Sequence, residues 1–170
     1  THFCRQHNME CFWSMRMNDN HDAKRDYLLS GWKKENPALL VGKKGDKFPY
    51  VSDKWSMVDY THQKVRDKVY RDFEDTATRY DVDGLEYDFF RHPGFFKPQF
   101  FGEPVTQKHR DMMTSLLRRI RKMADEVGAR RGRPILIACR LPDSISYCRA
   151  IGLDLEKWLE EDLVDIITGG

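Results

Sequence analysis

No stretch of the chain approaches the roughly 18 consecutive apolar residues that a membrane-spanning helix needs, and Thr1-His-Phe-Cys-Arg5 has no signal-peptide pattern. Cysteine is sparse. Cys4, Cys11, Cys139 and Cys148 lack both Cys-x-x-Cys spacing and the density of a disulfide scaffold. Charge of one sign is also missing. The 29 basic and 27 acidic residues leave +2, so no global field favours nucleic acid or an anionic membrane. No Gly-x-Gly-x-x-Gly or Gly-x-x-x-x-Gly-Lys-[Ser/Thr] follows a strand-like run, which counts against a dinucleotide or P-loop site. A Gly-x-Ser-x-Gly nucleophile elbow is absent too. The composition, 40% hydrophobic and 33% charged over 170 residues, is that of one globular domain spanning 1–170, and it leaves oligomeric state open.

What is present is an alternation of strand and helix patterns. Residues 9–18 alternate Met9, Cys11, Trp13, Met15 and Met17 with a mostly polar set, as a strand with one apolar face does. A short helix is expected over 23–30, a long binding loop carrying Trp32 through to residue 53, and a short strand over Trp55–Tyr60. Val65, Val69 and Phe73 recur at helical spacing within 62–80. Glycines and prolines exclude regular structure from 92–102, although its four phenylalanines argue that this loop folds over something. The clearest helix starts at Thr106 as N-cap, carries Met112, Met113, Leu116, Leu117, Ile120, Met123 and Val127 on one stripe, and stops at Gly128. Arg130-Arg-Gly-Arg133 reads as a solvated loop. Pro134 to Arg140 is a nearly all-apolar strand, Asp154 caps a short helix, and Leu163 to Ile167 starts a further strand. This order predicts an α/β fold with a parallel sheet, whose ligands bind at the C-terminal strand ends.

The central run is Asp81-Val-Asp-Gly-Leu-Glu-Tyr-Asp-Phe-Phe-Arg-His92. As a strand it places Gly84, Glu86 and Asp88 on one face and Leu85, Tyr87 and Phe89 on the other. The two carboxylates are then on Cα atoms about 6.6–7 Å apart, two strand steps of roughly 3.3 Å each. Burying unpaired carboxylates is costly, so an acid pair among large apolar residues points to function.

From Val65-Arg66 to His92-Pro93 the sequence resembles the (β/α)8-barrel glycoside hydrolases, most closely the glycosyl-hydrolase-like family 10 barrels of mainly bacterial proteins. That family's strand reads Asp-Gly-Ile-x-x-Asp-Tyr-x-Arg-x-Pro, and Asp83, Gly84, Asp88, Arg91 and Pro93 match its fixed positions. Glu86 stands where the family often carries histidine. The resemblance implies a TIM-type barrel, here a partial one of four or five strands broken off at both ends. It further implies a carbohydrate-active hydrolase in a periplasmic or secreted setting.

Glycoside hydrolysis needs two carboxyl groups. Asp88, at the strand's end, is the candidate for the reacting position, with Glu86 as its partner or support. A second acid from Asp19, from Asp22 or from a further strand is the alternative. Expected substrate-binding residues are Arg16, Asn18, Asp19, His21, Asp22, Trp32, Arg91, His92 and Arg140, with Phe95 and Phe96 as further stacking faces. Arginine forks suit carboxylate or sulfate groups, so an oligo- or polysaccharide with acidic sugars is the expected partner. His21 with Asp22, and His92, offer metal-ligating atoms, but without a second ligand cluster neither metal nor cofactor is expected. The competing class is a catalytically silent barrel that binds a glycan or scaffolds a larger protein.

Overall fold

In the computed structural model, which describes residues 1–49 and 51–170, four stretches form a parallel sheet. Its strands are β1 (Phe12–Arg16), β2 (Gly84–Asp88), β3 (Leu136–Leu141) and β4 (Ile166–Gly169), arranged side by side in chain order. Four strands in an open sheet are what is observed, against the expected four or five of a partial barrel. The register aligns Ser14, Glu86, Ala138 and Ile166 in one row and Arg16, Asp88, Arg140 and Thr168 in the next row towards the C-terminal ends. Both rows lie on the same face, because side chains two residues apart point the same way.

The opposite face is packed. Leu85, Tyr87, Phe89, Ile137, Cys139 and Leu141 are buried in one cluster with the apolar stripes of α3 (Gln63–Arg79) and α5 (Gln107–Arg131). Val65, Val69, Phe73 and Ala77 repeat every fourth residue along α3, so each turn of that helix presents one apolar side chain to the sheet. Phe73 meets Trp13 and Tyr87 edge-on, with ring centroids 5.2 and 5.0 Å away. Trp158, on the short helix α7 (Leu155–Glu160), is buried in the same cluster and donates its indole N–H to Thr114 at 2.9 Å. Asp154 occupies the N-cap position of α7, but its carboxylate accepts from Gln107 at 3.3 Å and caps nothing.

Several expected boundaries move. α5 runs past Gly128 to Arg131 and ends on Gly132, whose φ of 68° is left-handed and suits glycine. Gly128 serves a different purpose, since a Cβ there would lie 3.0 Å from the Arg133 carbonyl where the chain turns back. The basic cluster is no solvated loop: Arg131 donates to the carbonyls of Ala77, Tyr80 and Val82, and Arg133 pairs with Asp81 and Asp83. Cys11 and the exposed Met9 precede β1 and are not part of it. The helix expected over 23–30 is two single turns of 3-10 helix, with a short helix α2 (Gly31–Glu35) after them. Trp55–Tyr60 forms only one antiparallel bridge, Val58 to Leu40. The 92–102 loop contains a single helical turn, α4 (Lys97–Phe100). Helices α1 (His2–Gln6) and α6 (Ile145–Ala150) are additions that the sequence did not signal.

The long segment between β1 and α3 holds a small core, with Ala23, Leu40, Val41, Phe48, Trp55 and Met57 buried together with Phe100 of the 92–102 loop. That core seats the segment at the C-terminal end of the sheet, where the polar row emerges.

Candidate functional site

β2 carries the two expected acids on one face, as its period of two requires. Glu86 accepts a hydrogen bond from the Ser14 hydroxyl at 2.6 Å and stands 3.9 Å from the Arg140 guanidinium. Both neighbours come from adjacent strands, β1 and β3. Asp88 is 8% exposed, and its Oδ1 accepts from the backbone N–H groups of Phe90 and Arg91 at 3.2 and 3.1 Å. That arrangement is the turn by which the chain leaves the strand. No described residue donates to Asp88 Oδ2, so one carboxylate oxygen keeps its acceptor capacity.

Around this pair the structure divides the expected binding residues into two groups. Arg16 and Arg140 are exposed at the strand ends, and Arg16 pairs with Asp19 at 3.1 Å. Arg91 is exposed beside them, and its side chain has no partner among the described residues. Asp19, His21 and His92 draw together just beyond β1 and β2, each offering one ligating atom, with these atoms all within 4.8 Å of one another. The rings of His21 and His92 are 5.3 Å apart at 67°. Burial works against charge on Asp19, but hydrogen bonds from the backbone and ring of His21 and from Arg16 outweigh it and hold the carboxyl well below its usual range. The His92 pKa is lowered, by burial first and then by the charge of Lys54.

The second group is tied into the framework by hydrogen bonds or packing. Asn18 is 4% exposed; its amide donates to the Val58 and Gly94 carbonyls at 2.9 and 2.7 Å and accepts from the Val58 N–H at 2.9 Å. It ties β1 to two loops. Asp22 is buried between Lys33 at 2.6 Å and the Ser56 hydroxyl at 2.5 Å. The carboxylate that joins the two histidines is therefore Asp19, not Asp22. Phe95 and Phe96 lie fully inside the core and offer no stacking face. Trp32 is half-buried against the core and lines a cleft of about 200 Å³ with Arg16, Asp19 and Lys33.

Two residues at the site carried no signal of their own. Ser14 was legible only as a polar position on β1, because its pairing with Glu86 depends on the register between strands 72 residues apart. Lys33 donates to the Asp19 carbonyl at 3.1 Å as well as to Asp22, which a lysine in an irregular segment does not reveal.

Neither a scan of protein-family profiles nor a search of curated proteins finds a match. Among solved structures the chain is similar to a glycoside hydrolase family 18 N-acetylglucosaminidase from Paenibacillus barengoltzii, with TM-score 0.44 and 18% identity over 64% of this chain and 30% of that one. It is also similar to the galactosidase domain of an alpha-galactosidase-sucrose kinase, with TM-score 0.44 and 14% identity over 79% of this chain and 16% of that one. A third is alpha-L-fucosidase isoenzyme 2 from Paenibacillus thiaminolyticus, with TM-score 0.47 and 16% identity over 79% and 21%. The chain spans less than a third of the length of each.

Proposed function

We propose that this chain is part of a (β/α) barrel that acts on carbohydrate by carboxylate acid/base chemistry at the C-terminal ends of its strands. The observation that carries the reading is the placement of Arg16, Asp88 and Arg140 in one row on adjacent parallel strands, with Glu86 one pleat deeper on the same face. Two features of the sheet support the barrel. Its strands follow one another in chain order, and both long helices pack on a single face. Parallel sheets cover both faces, and a sheet wound in one direction does so by curling until the helix-free face lines an interior.

On this reading Asp88, with one oxygen held by its own turn and the other unpartnered, is the group that meets the glycosidic oxygen or the sugar. Glu86 is positioned by Ser14 and balanced by Arg140, which suits it as partner carboxylate or as support. Arg91 is the guanidinium free to meet an acidic sugar, since Arg16 is engaged by Asp19.

A second reading has its own observation. Both carboxylates already hold hydrogen bonds that a purely structural pair would make, Glu86 to Ser14 and Asp88 to its turn. A glycan-binding or scaffold module would look the same. Asp88→Asn and Glu86→Gln in the intact protein separate the two. Loss of polysaccharide hydrolysis by about 100-fold or more in at least one variant, with glycan binding retained, is the expected result for an enzyme. Binding without turnover in the unsubstituted protein would establish the module instead. A panel of neutral and uronic glycans showing no preference for the charged members would refute the acidic substrate.

A further inference from the structure

We propose that Asp19, His21 and His92 form a binding site for one divalent transition-metal ion of the zinc type, independent of the carbohydrate reading. Two imidazole nitrogens and one carboxylate oxygen make a three-ligand set that leaves a coordination position for water or substrate. The three residues come from two separate segments, Asp19 and His21 just after β1 and His92 just after β2, so it is the sheet that brings them together.

His92 supplies the decisive observation. Its Nε2 is shut off from solvent and has no hydrogen-bond partner among the described residues. Buried polar side-chain atoms in folded proteins are partnered in the large majority of cases. The same atom stands 4.0 Å from Asp19 Oδ1, beyond hydrogen-bond reach but close to the spacing of two ligands on one ion. Tetrahedral bonds of about 2.0–2.1 Å put neighbouring ligand atoms about 3.3 Å apart, so an ion requires the two to approach by less than about 1 Å. His21 Nδ1 already contacts Asp19 Oδ1.

The outer contacts favour the same assignment. Asp19 Oδ2 is held by Arg16 at 3.1 Å and Oδ1 by the His21 N–H at 2.9 Å, so the carboxylate is fixed in orientation before any ion arrives. Donor chemistry selects the ion. Imidazole suits zinc, copper, nickel and cobalt, whereas magnesium and calcium require a shell of oxygen ligands, of which this cluster supplies only the Asp19 carboxylate.

The test is calorimetric titration of tag-free, chelator-stripped protein with zinc chloride, and separately with magnesium chloride, backed by the visible spectrum of the cobalt-loaded protein. One equivalent of zinc is expected, bound far more tightly than magnesium, with cobalt bands typical of low coordination number. His92→Ala and, separately, the exposed His21→Ala are each expected to weaken zinc by more than the 10–100-fold that loss of an outer contact costs. Far-UV circular dichroism establishes that both variants remain folded. His2, Cys4 and His7 near the N-terminus carry further zinc-ligating side chains outside the cluster, and a His2→Ala, His7→Ala variant is expected to keep the equivalent. Zinc binding unchanged in both His21→Ala and His92→Ala, or no preference for zinc over magnesium, would overturn the assignment and leave a hydrogen-bonded Asp19–His21 pair. No glycan enters the experiment, so its outcome and that of the hydrolysis test are separable.

Discussion

Asp83 and Asp88 are five residues apart in one motif, and replacing the first tests whether it belongs to the framework. Asp83 is 8% exposed at the N-terminal end of β2, away from the polar row. Its carboxylate accepts from the Cys11 N–H at 2.8 Å and from Arg5 at 2.9 Å, and it also pairs with Arg133. Asp83→Asn keeps an oxygen for Cys11 and loses both charge-assisted contacts. Such bonds contribute about 1.5–3 kcal/mol each when buried and about 0–1 kcal/mol when exposed. With the two guanidiniums 38% and 35% exposed, about 1 kcal/mol apiece is the reasonable value, or roughly 2 kcal/mol in all. For a chain of this length that is about 4–8 °C in Tm.

The loss must also depend on pH in a definite direction. Burial opposes charge on Asp83, but the Cys11 N–H, Arg5 and Arg133 outweigh it, so the folded-state pKa lies below the ordinary value of about 3.9. A carboxylate depressed in this way stabilises the fold above its unfolded pKa, and that contribution is lost as pH falls through the folded-state value. The deficit of Asp83→Asn, measured by urea unfolding, is therefore full at pH 7 and shrinks below about pH 4. A deficit under about 0.5 kcal/mol at pH 7, or one equal at pH 7 and pH 3, would refute the framework role. Glycan binding by the folded variant is expected to match the unsubstituted protein.

Two other substitutions probe how the sheet is seated. A Cβ on Gly84 would fall 2.1 Å from Phe12 Cε1, so Gly84→Ala should cost about 1–3 kcal/mol in urea unfolding, and Phe12→Leu in the same chain should recover part of it. His109 Nδ1 accepts the Thr106 N–H at 3.0 Å at the start of α5, and its pKa is lowered chiefly by burial. A histidine lowered in this way leaves stability intact above about pH 6.5, and the unfolded state takes up the proton first as pH falls below that. Thermal stability should therefore fall between pH 7 and pH 5, and His109→Glu, which completes a standard capping box, should flatten that slope while changing stability at pH 7 by about 1 kcal/mol or less.

The regular elements were legible because local periodicity encodes them. Val65, Val69 and Phe73 marked α3, and Thr106 opened α5 where expected. The end of α5 was misread because two glycines, Gly128 and Gly132, lie near it and only backbone conformation distinguishes them. Gly132 has the positive φ of a helix stop, whereas Gly128 makes room for the returning chain. Most of the structure of residues 18–49 and 51–61 was not legible. Their structure rests on bonds between distant positions, such as Asn18 to Val58 and Ser56 to Asp22, which no window of neighbouring residues contains. The arginines after α5 were missed for the same reason, as Arg131 reaches 54 residues back to Ala77.

The candidate site shows the same division within one motif. The period of two was enough to put Glu86 and Asp88 on a common face, because that follows from the strand alone. Function, however, turns on which aspartate is tied down. Asp83 binds two guanidiniums and a backbone N–H from distant parts of the chain, so its charge is neutralised by the fold itself. Among the described residues Asp88 binds only the N–H groups of the two residues in its own turn, so its charge is met locally and one oxygen stays open. An aspartate with donors from the framework on both oxygens is held in place by the fold, whereas one held on a single oxygen by its own turn keeps the other for a substrate. On the proposed carbohydrate reading, that makes Asp88 the candidate for the reacting position within Asp81 to His92, and Asp83→Asn and Asp88→Asn should then give opposite phenotypes: lost stability with ligand binding kept, and lost turnover with stability kept.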